Sequence, residues 1–213
     1  MTTLLLIRHG ESEANRKGIF AGQVDPDLQD KGLEQAKLTA KYIKENYTVE
    51  RIYSSDLKRA YNTAKCLADL VNLEIIKDKN LREIYAGKWE GMKFEEILAA
   101  YRDDYDVWLK HIGHARCTDG ETVKELGKRV MKALTQIAIE NDGKNVVIAT
   151  HATPIRVTQS IIETGSTDKM EEIPWVSNAS VTLIKYENGR WNVEEVSKDA
   201  HLQALRTELP KNV

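Results

Sequence analysis

Leu4-Leu5-Leu6-Ile7-Arg8-His9-Gly10-Glu11-Ser12 sets four aliphatic residues in a row against charge, histidine and glycine, with Asn15 just beyond. An apolar run this short, ended by charge and glycine, predicts a strand buried on both faces whose carboxyl end opens into a loop. In open α/β sheets ligands sit beyond that end of the strands. Gly10 lets the backbone bend and approach a ligand closely, and Arg8 offers a two-pronged donor to an anion. A satisfied surface histidine at a strand end would read the same way in isolation, so the rest of the chain has to decide.

Val146-Val147-Ile148-Ala149-Thr150-His151 repeats the pattern, an aliphatic run delivering a histidine just before a helix start at Thr153-Pro154. Between the two runs, strands and helices alternate. Asp30 reads as the N-cap of a helix carrying Leu33, Ala36, Ala40 and Ile43 at helical spacing. Arg51-Ile52-Tyr53-Ser54 is short and β-prone, Asp56 opens a helix with Leu57, Ala60, Ala64, Leu67 and Val71 on one face, and Glu74-Ile75-Ile76 is a third strand. Two shorter helices, Lys93 to Tyr101 and Asp103 to Lys110, form a helical insertion at about 92–120 expected to cover the site. Thr122 with Glu125 makes a capping box before the longest helix, and two alternating strands near 180–186 and 190–197 finish the chain. This order predicts one α/β domain over residues 1–213, a three-layer α/β/α sandwich whose sheet is mainly parallel with an antiparallel edge.

The 213 residues carry 31 Lys+Arg against 33 Asp+Glu, a net charge of -2 that offers no general attraction for nucleic acid or an anionic membrane. Local positive charge must come from particular arginines. No stretch approaches the ~18 apolar residues of a membrane span, and the amino terminus has no signal-like segment, so a cytoplasmic location is expected. Cys66 and Cys117 are too few for a disulfide framework and read as free thiols. A homodimer is the default oligomer.

Ser54-Ser55-Asp56-Leu57-Lys58-Arg59 adds another strand end, with Arg59 in the first turn of the following helix. Two histidines, two arginines and a helix amino terminus around one edge make an anion trap suited to phosphate. Leu81-Arg82-Glu83-Ile84-Tyr85-Ala86-Gly87-Lys88-Trp89-Glu90-Gly91 supplies a carboxylate near glycines after the third strand, a candidate acid.

In this order and spacing the segments resemble the histidine phosphatase superfamily, the phosphoglycerate mutase-like branch. Leu6 to Ser12 with Asn15 looks like its signature loop, Ser54 to Ala64 like its second arginine segment, Leu81 to Gly91 like its acid segment, and Thr150-His151-Ala152-Thr153-Pro154-Ile155-Arg156 like its final histidine motif. The resemblance implies a catalytic set of His9, Glu83, Arg8, Arg59 and His151, with Ser12, Asn15, Gly22 and Ala152 as substrate contacts. His9 would attack phosphorus in line to form a phosphohistidine, and so must be neutral; Arg8 and Arg59 would disfavour its protonation while clamping the phosphoryl oxygens. Glu83 would protonate the leaving oxygen and then take a proton from water, with Trp89 as an apolar neighbour. Two arginines and a histidine stand in for the cation other phosphatases use, so no metal and no cofactor is expected, and the partner is a small phosphorylated metabolite. The acid segment looks like that of the small phosphatases, whereas mutases carry an arginine-histidine-tyrosine run there. A cofactor-dependent phosphoglycerate mutase and a catalytically silent phosphate-ligand binding module are the alternatives.

Some positions depart from the family pattern. Ala21 stands where many members have a phosphate-touching glutamine before Gly22, and Gln23 reads either as a substitute donor or, as loop glutamines more often are, as solvated; Ala152 replaces a glycine; and Ala86 stands where one kind of metal-independent phosphoserine phosphatase has histidine. His111-x-x-His114-x-x-Cys117 offers three ligands at even spacing, but a structural zinc site needs four, and the loop reads instead as exposed or as part of the substrate entrance. His201 matches a position that folds toward the site in some relatives and reads equally as an exposed residue without a role, and Trp108, Trp175 and Trp191 read as packing residues.

Overall fold

β1 (Thr2–Arg8) is the opening aliphatic run, and Leu4, Leu5, Leu6 and Ile7 are each at most 1% exposed. It lies inside the sheet, parallel to β4 (Asn145–Thr150) on one side and antiparallel to β5 (Val181–Glu187) on the other. Its side chains therefore enter two cores. Leu4 and Leu6 join Val146 and Ile148 on one face, whereas Leu5 and Ile7 join Val147 and Ala149 on the other. A strand covered on both faces has no reason to alternate, which is why the run is continuous. Burying each such side chain contributes about 1.5–3 kcal/mol.

The computed structural model describes residues 1–207, so the last six positions of the expected 1–213 domain lie outside the described residues. The sheet runs β3-β2-β4-β1-β5-β6, with β2 (Arg51–Ser54), β3 (Ile75–Lys77) and β6 (Arg190–Lys198) completing it. The pairs among β1, β2, β3 and β4 are parallel, and those of β5 and β6 are antiparallel. Besides the short α1 (Glu13–Lys17), α2 (Asp30–Asn46) and α3 (Lys58–Val71) cover one face through Ala40, Ile43, Ala64 and Leu67. On the other face α6 (Val123–Glu140) and α7 (Ala152–Thr164) pack through Leu126, Val130, Leu134 and Ile155. α4 (Phe94–Ala100) and α5 (Arg102–Lys110) bury Ile97, Tyr105 and Trp108 in the same core. The expected three-layer sandwich with an antiparallel edge is the one observed.

Element ends moved by one or two residues where a side chain had a second task. Asp30 is the first helical residue of α2, not its cap, which is Gln29. Asp56 does not open α3; its carboxylate takes two bonds of 2.6 Å from the Arg82 guanidinium, and the helix begins at Lys58. The capping box of Thr122 and Glu125 is present as read, with the Glu125 N–H donating to Thr122 Oγ at 3.0 Å. α7 starts one residue early, leaving His151 as its N-cap. Among the described residues no helix is long and apolar enough to cross a membrane.

Candidate active site

Strand register brings the two histidines together. Arg8 pairs with Thr150 across the parallel β1–β4 ladder, and the His9 N–H donates to the Thr150 carbonyl at 3.0 Å. His9 and His151 are thus each the first residue past neighbouring strands, their rings edge to face with centroids 5.2 Å apart. The β2–β4 ladder extends the row, since the Ser55 N–H donates to Ala149 and Ser55 Oγ lies 2.9 Å from His151 Nε2. One edge thereby collects both histidines, Ser55 and the start of α3 with Arg59.

His9 Nδ1 lies 2.7 Å from the Gly10 carbonyl. A carbonyl only accepts, so Nδ1 carries the proton and the lone pair resides on Nε2. Burial, and after it the Arg59 and Arg8 charges, hold the His9 pKa well below its usual value, and His151 is lowered by burial and by Arg59 in the same way. His9 is therefore a neutral imidazole beside two cations. The Ser55 hydroxyl accepts from the Leu57 N–H at 3.3 Å and has its own proton left for His151 Nε2. In the tautomer that takes the Ser55 proton at Nε2, the His151 proton sits on Nδ1, which is buried and has no partner among the described residues.

The two arginines are fixed from behind. Arg8 Nη1 donates to the Val176 carbonyl at 2.6 Å, while its Nε is buried without a partner among the described residues. Arg59 spends Nη2 on the Gly22 carbonyl at 2.7 Å and Nη1 on Val24 at 2.8 Å. Burial lowers both guanidinium pKa values to about 10, which leaves them charged at neutral pH. Arg8 Nε and, in that tautomer, His151 Nδ1 are buried donors with no partner among the described residues, beside a cavity lined by two cations, an arrangement that suits an oxyanion.

Arg8, His9, Ser12, Asn15, Gly22, Arg59, Glu83 and Ala152 all line one cavity of about 170 Å³. His151, fully buried, stands behind His9. Glu83 accepts from the Ile84 N–H at 2.8 Å and from Thr153, in the first turn of α7, at 3.4 Å. Trp89 is not its neighbour in the cavity wall; the indole is buried and donates to Thr118 Oγ1 at 3.0 Å. Ser12 caps α1 and donates to Asn15 Oδ1 at 2.9 Å, and with that oxygen also taken by Asn178, the Asn15 amide NH₂ is what remains for a ligand. Gly22 holds Arg59 through its carbonyl at a φ of +50°, and a Cβ there would meet Glu90 Oε1 at 2.7 Å and Ala86 Cβ at 2.8 Å. Ala152 opens α7 at the cavity wall.

Several expectations fail. The Gln23 amide is bonded to Glu83 O at 3.2 Å and to Arg82 at 3.3 Å, and it does not line the cavity. His201 stacks on Tyr42 and bonds the buried Thr39 Oγ1 at 2.9 Å, and it does not line the cavity. The exposed-loop reading holds for His111 and His114, which lie beside Glu171 and Asp168, and only Cys117 departs from it by being buried. Trp108 and Trp175 are more than packing, since both line the cavity with Ile19, Phe20 and Phe94. Asn178 went unnoticed in the sequence, yet its Nδ2 donates to the His9 carbonyl at 3.0 Å and to Asn15 Oδ1 at 3.3 Å. A signal existed. An antiparallel strand starts at the edge where parallel strands end, so the polar run Ser177-Asn178 before β5 had to fall beside His9.

A model of the histidine phosphatase superfamily (branch 1) matches residues 4–199. "Phosphoserine phosphatase 1" of Hydrogenobacter thermophilus is 32% identical over 213 residues, 100% of each chain. A 2,3-bisphosphoglycerate-dependent phosphoglycerate mutase of Thermoplasma acidophilum is 37% identical over 196 residues, 89% of this chain and 90% of that one. The solved structure of Bacillus stearothermophilus YhfR matches with a TM-score of 0.90 at 28% identity, over 95% of this chain and 100% of that one. Since the match runs from the first strand to the last and the motif residues meet at one sheet edge, the chain belongs to the histidine phosphatase superfamily, branch 1, as one of its phosphatases.

Proposed function

We propose that this phosphatase hydrolyses a small phosphorylated metabolite through a phosphohistidine on His9, without metal ion or cofactor, and with Glu83 as general acid and then general base. One observation carries the reading: the Nδ1–H of His9 is held by Gly10 O at 2.7 Å, which leaves Nε2 unprotonated between Arg8 and Arg59. Nε2 bonds phosphorus as the ester P–O bond breaks, and the leaving oxygen takes its proton from Glu83. Water then attacks phosphorus while Glu83 accepts its proton, and the N–P electron pair returns to Nε2. Arg8, Arg59, the Nδ1–H of His151 and the Asn15 amide are donors for the phosphoryl oxygens throughout, set in place before the charge develops.

Labelled substrate, stopped with alkaline denaturant in which phosphohistidine survives, tests this. Label should appear on His9 and vanish in His9→Ala. Normal turnover by His9→Ala with no label at any time would refute it. The 37% identity to a mutase favours a second reading, in which a substrate hydroxyl rather than water takes the phosphoryl group. Phosphate release without a bisphosphorylated primer decides between them.

A further inference from the structure

The cavity lining combines charged and aromatic residues. Its charged lining residues are Arg8, Arg59 and Glu83, all assigned above to the phosphoryl group and the proton it requires. The aromatic lining residues are Phe20, Phe94, Trp108 and Trp175, and they come from three separate parts of the chain. Among the described lining residues no further cation or carboxylate is present.

This aromatic surface is built, not incidental. Phe20 meets Trp108 edge to face at 5.1 Å and Phe94 at 6.2 Å, and Trp108 in turn abuts Trp89 at 5.8 Å. Trp175 is held by Arg156, whose guanidinium lies over the ring at 3.9 Å. That guanidinium is itself fixed, with Nη2 donating to Ile173 O at 2.6 Å and to Met170 O at 3.0 Å. A wall whose rotamers are locked this way loses little freedom when a ligand docks. It presents ring faces and edges suited to another flat apolar group. A carboxylate or ammonium placed against these rings would give up its water without gaining an oppositely charged partner among the described lining residues, whose remaining polar members, Ser12, Asn15, Thr153, Asn178 and Thr207, are neutral.

We infer that the alcohol released by this enzyme is uncharged and carries a flat apolar body, so that the substrates it prefers are monoesters of arylmethyl or similar alcohols. Amino-acid and hydroxy-acid phosphates are disfavoured. This rests on the phosphohistidine reading above and narrows its substrate class. It departs from what the name of the first relative says of that protein.

The test compares benzyl phosphate with phosphoserine, both esters of poor alkyl leaving groups, so that any difference lies in binding the leaving group and not in its departure. 4-Nitrophenyl phosphate serves as a control whose leaving group needs no acid. Expected is a kcat/KM at least tenfold higher for benzyl phosphate than for phosphoserine. Trp175→Ala, at a half-buried position outside the core, should cut benzyl phosphate turnover at least tenfold through KM and cost phosphoserine no more than threefold. Trp175→Phe should restore most of the loss. Phe94→Ala, also half-buried, gives a second reading of the same wall should Trp175→Ala fold poorly. Equal or better turnover of phosphoserine, or equal losses on both esters in the variants, would overturn the substrate class while leaving the chemistry at His9 in place. No turnover of any of the three, the nitrophenyl ester included, would overturn the chemistry and this inference with it.

Discussion

Nη2 of Arg129 lies 2.8 Å from the carbonyl oxygen of Glu83, so α6 reaches across to grip the backbone that carries the proposed acid. The same guanidinium donates through Nη1 to the carbonyls of Asn80 and Arg82, each at 2.8 Å, and pairs with Glu121 through Nε at 2.7 Å and Nη2 at 2.9 Å. Three carbonyls in one fork define where residues 80–83 sit, and Lys cannot reproduce a planar fork. Replacing Arg129 by Lys or Met should displace Glu83 and lower kcat about 10²-fold on alkyl phosphates, the order of cost of a misplaced catalytic group. Aryl phosphates should lose much less. In a Glu83→Gln background the Arg129 change should add little, because both act through one proton transfer. Equal losses on all esters would make Arg129 a purely structural residue.

Glu83→Gln itself should reduce kcat by about 10²- to 10⁴-fold for alkyl monoesters, the usual worth of a positioned acid, and by far less for nitrophenyl phosphate. Gln keeps one acceptor oxygen for the Ile84 N–H at 2.8 Å and gives up only the longer 3.4 Å bond from the Thr153 N–H, so the local fold should survive. Uniform loss across leaving groups would remove Glu83 from the acid role.

Metal removal should change nothing. The positive charge facing the phosphoryl group is supplied by Arg8 and Arg59, which are covalently part of the chain and fixed by Val176, Gly22 and Val24 carbonyls. Dialysis against chelator should leave kcat unaltered, and an activity restored only by added divalent cation would contradict the proposed clamp.

What was legible in the sequence was what local chemistry decides. Leu4 to Ile7 and Val146 to Ala149 announce buried parallel strands because a strand covered on both faces needs apolar residues at every position, and register then forces His9 and His151 together. Contacts made by backbone carbonyls were not legible, since every residue has one; nothing in Val176, Gly22 or Gly10 advertises that its oxygen holds Arg8, Arg59 or His9. Asp56 reads as a helix cap by type, but a guanidinium 26 positions away competes for it and wins. Trp108 and Trp175 read as packing because single aromatics carry no spacing signal, and only the fold shows that both face the cavity.

Gly10 is required for close approach and not for an unusual φ. A Cβ there would fall inside the van der Waals shell of the Gly32 carbonyl oxygen, and a Cβ on Gly32 would do the same to Glu11. The start of α2 thus rests directly on the loop that carries His9, backbone against backbone, where neither side can give. Gly10→Ala and Gly32→Ala should each destabilise by about 1–3 kcal/mol or more, the range for overpacking, seen as a lower urea midpoint with unchanged m. Gly143, whose Cβ position has none of the described residues within 4 Å but whose φ is +79°, provides the contrast, with a cost from backbone strain alone. Wild-type stability in Gly10→Ala would mean the two loops are not in contact in solution.

The paired histidines also set how stability responds to acid. Folded, His9 and His151 resist protonation, first because burial penalises the charged ring and then because Arg59 lies near both. Unfolded, each titrates near pH 6.5. Below that value the unfolded chain binds the more protons, so stability is complete above about pH 6.5 and is lost as pH falls, by up to about 1.4 kcal/mol per pH unit for each histidine, until the depressed folded values are reached. Asp56, held down chiefly by its hydrogen bonds from Arg82, pulls in the same direction only below the ordinary carboxylate range near 4, so the window between pH 6.5 and 5 belongs to histidines. His201, lowered by partial burial, adds a smaller share. Urea midpoints measured at pH 7.5, 6.5, 5.5 and 5 should fall steeply across the last three, and His9→Gln should remove close to half of that slope while leaving the pH 7.5 value comparatively little changed. A midpoint that stays level down to pH 5 would mean that the imidazoles reach solvent and accept protons in the folded state, and a nucleophile kept neutral by its surroundings would then be untenable.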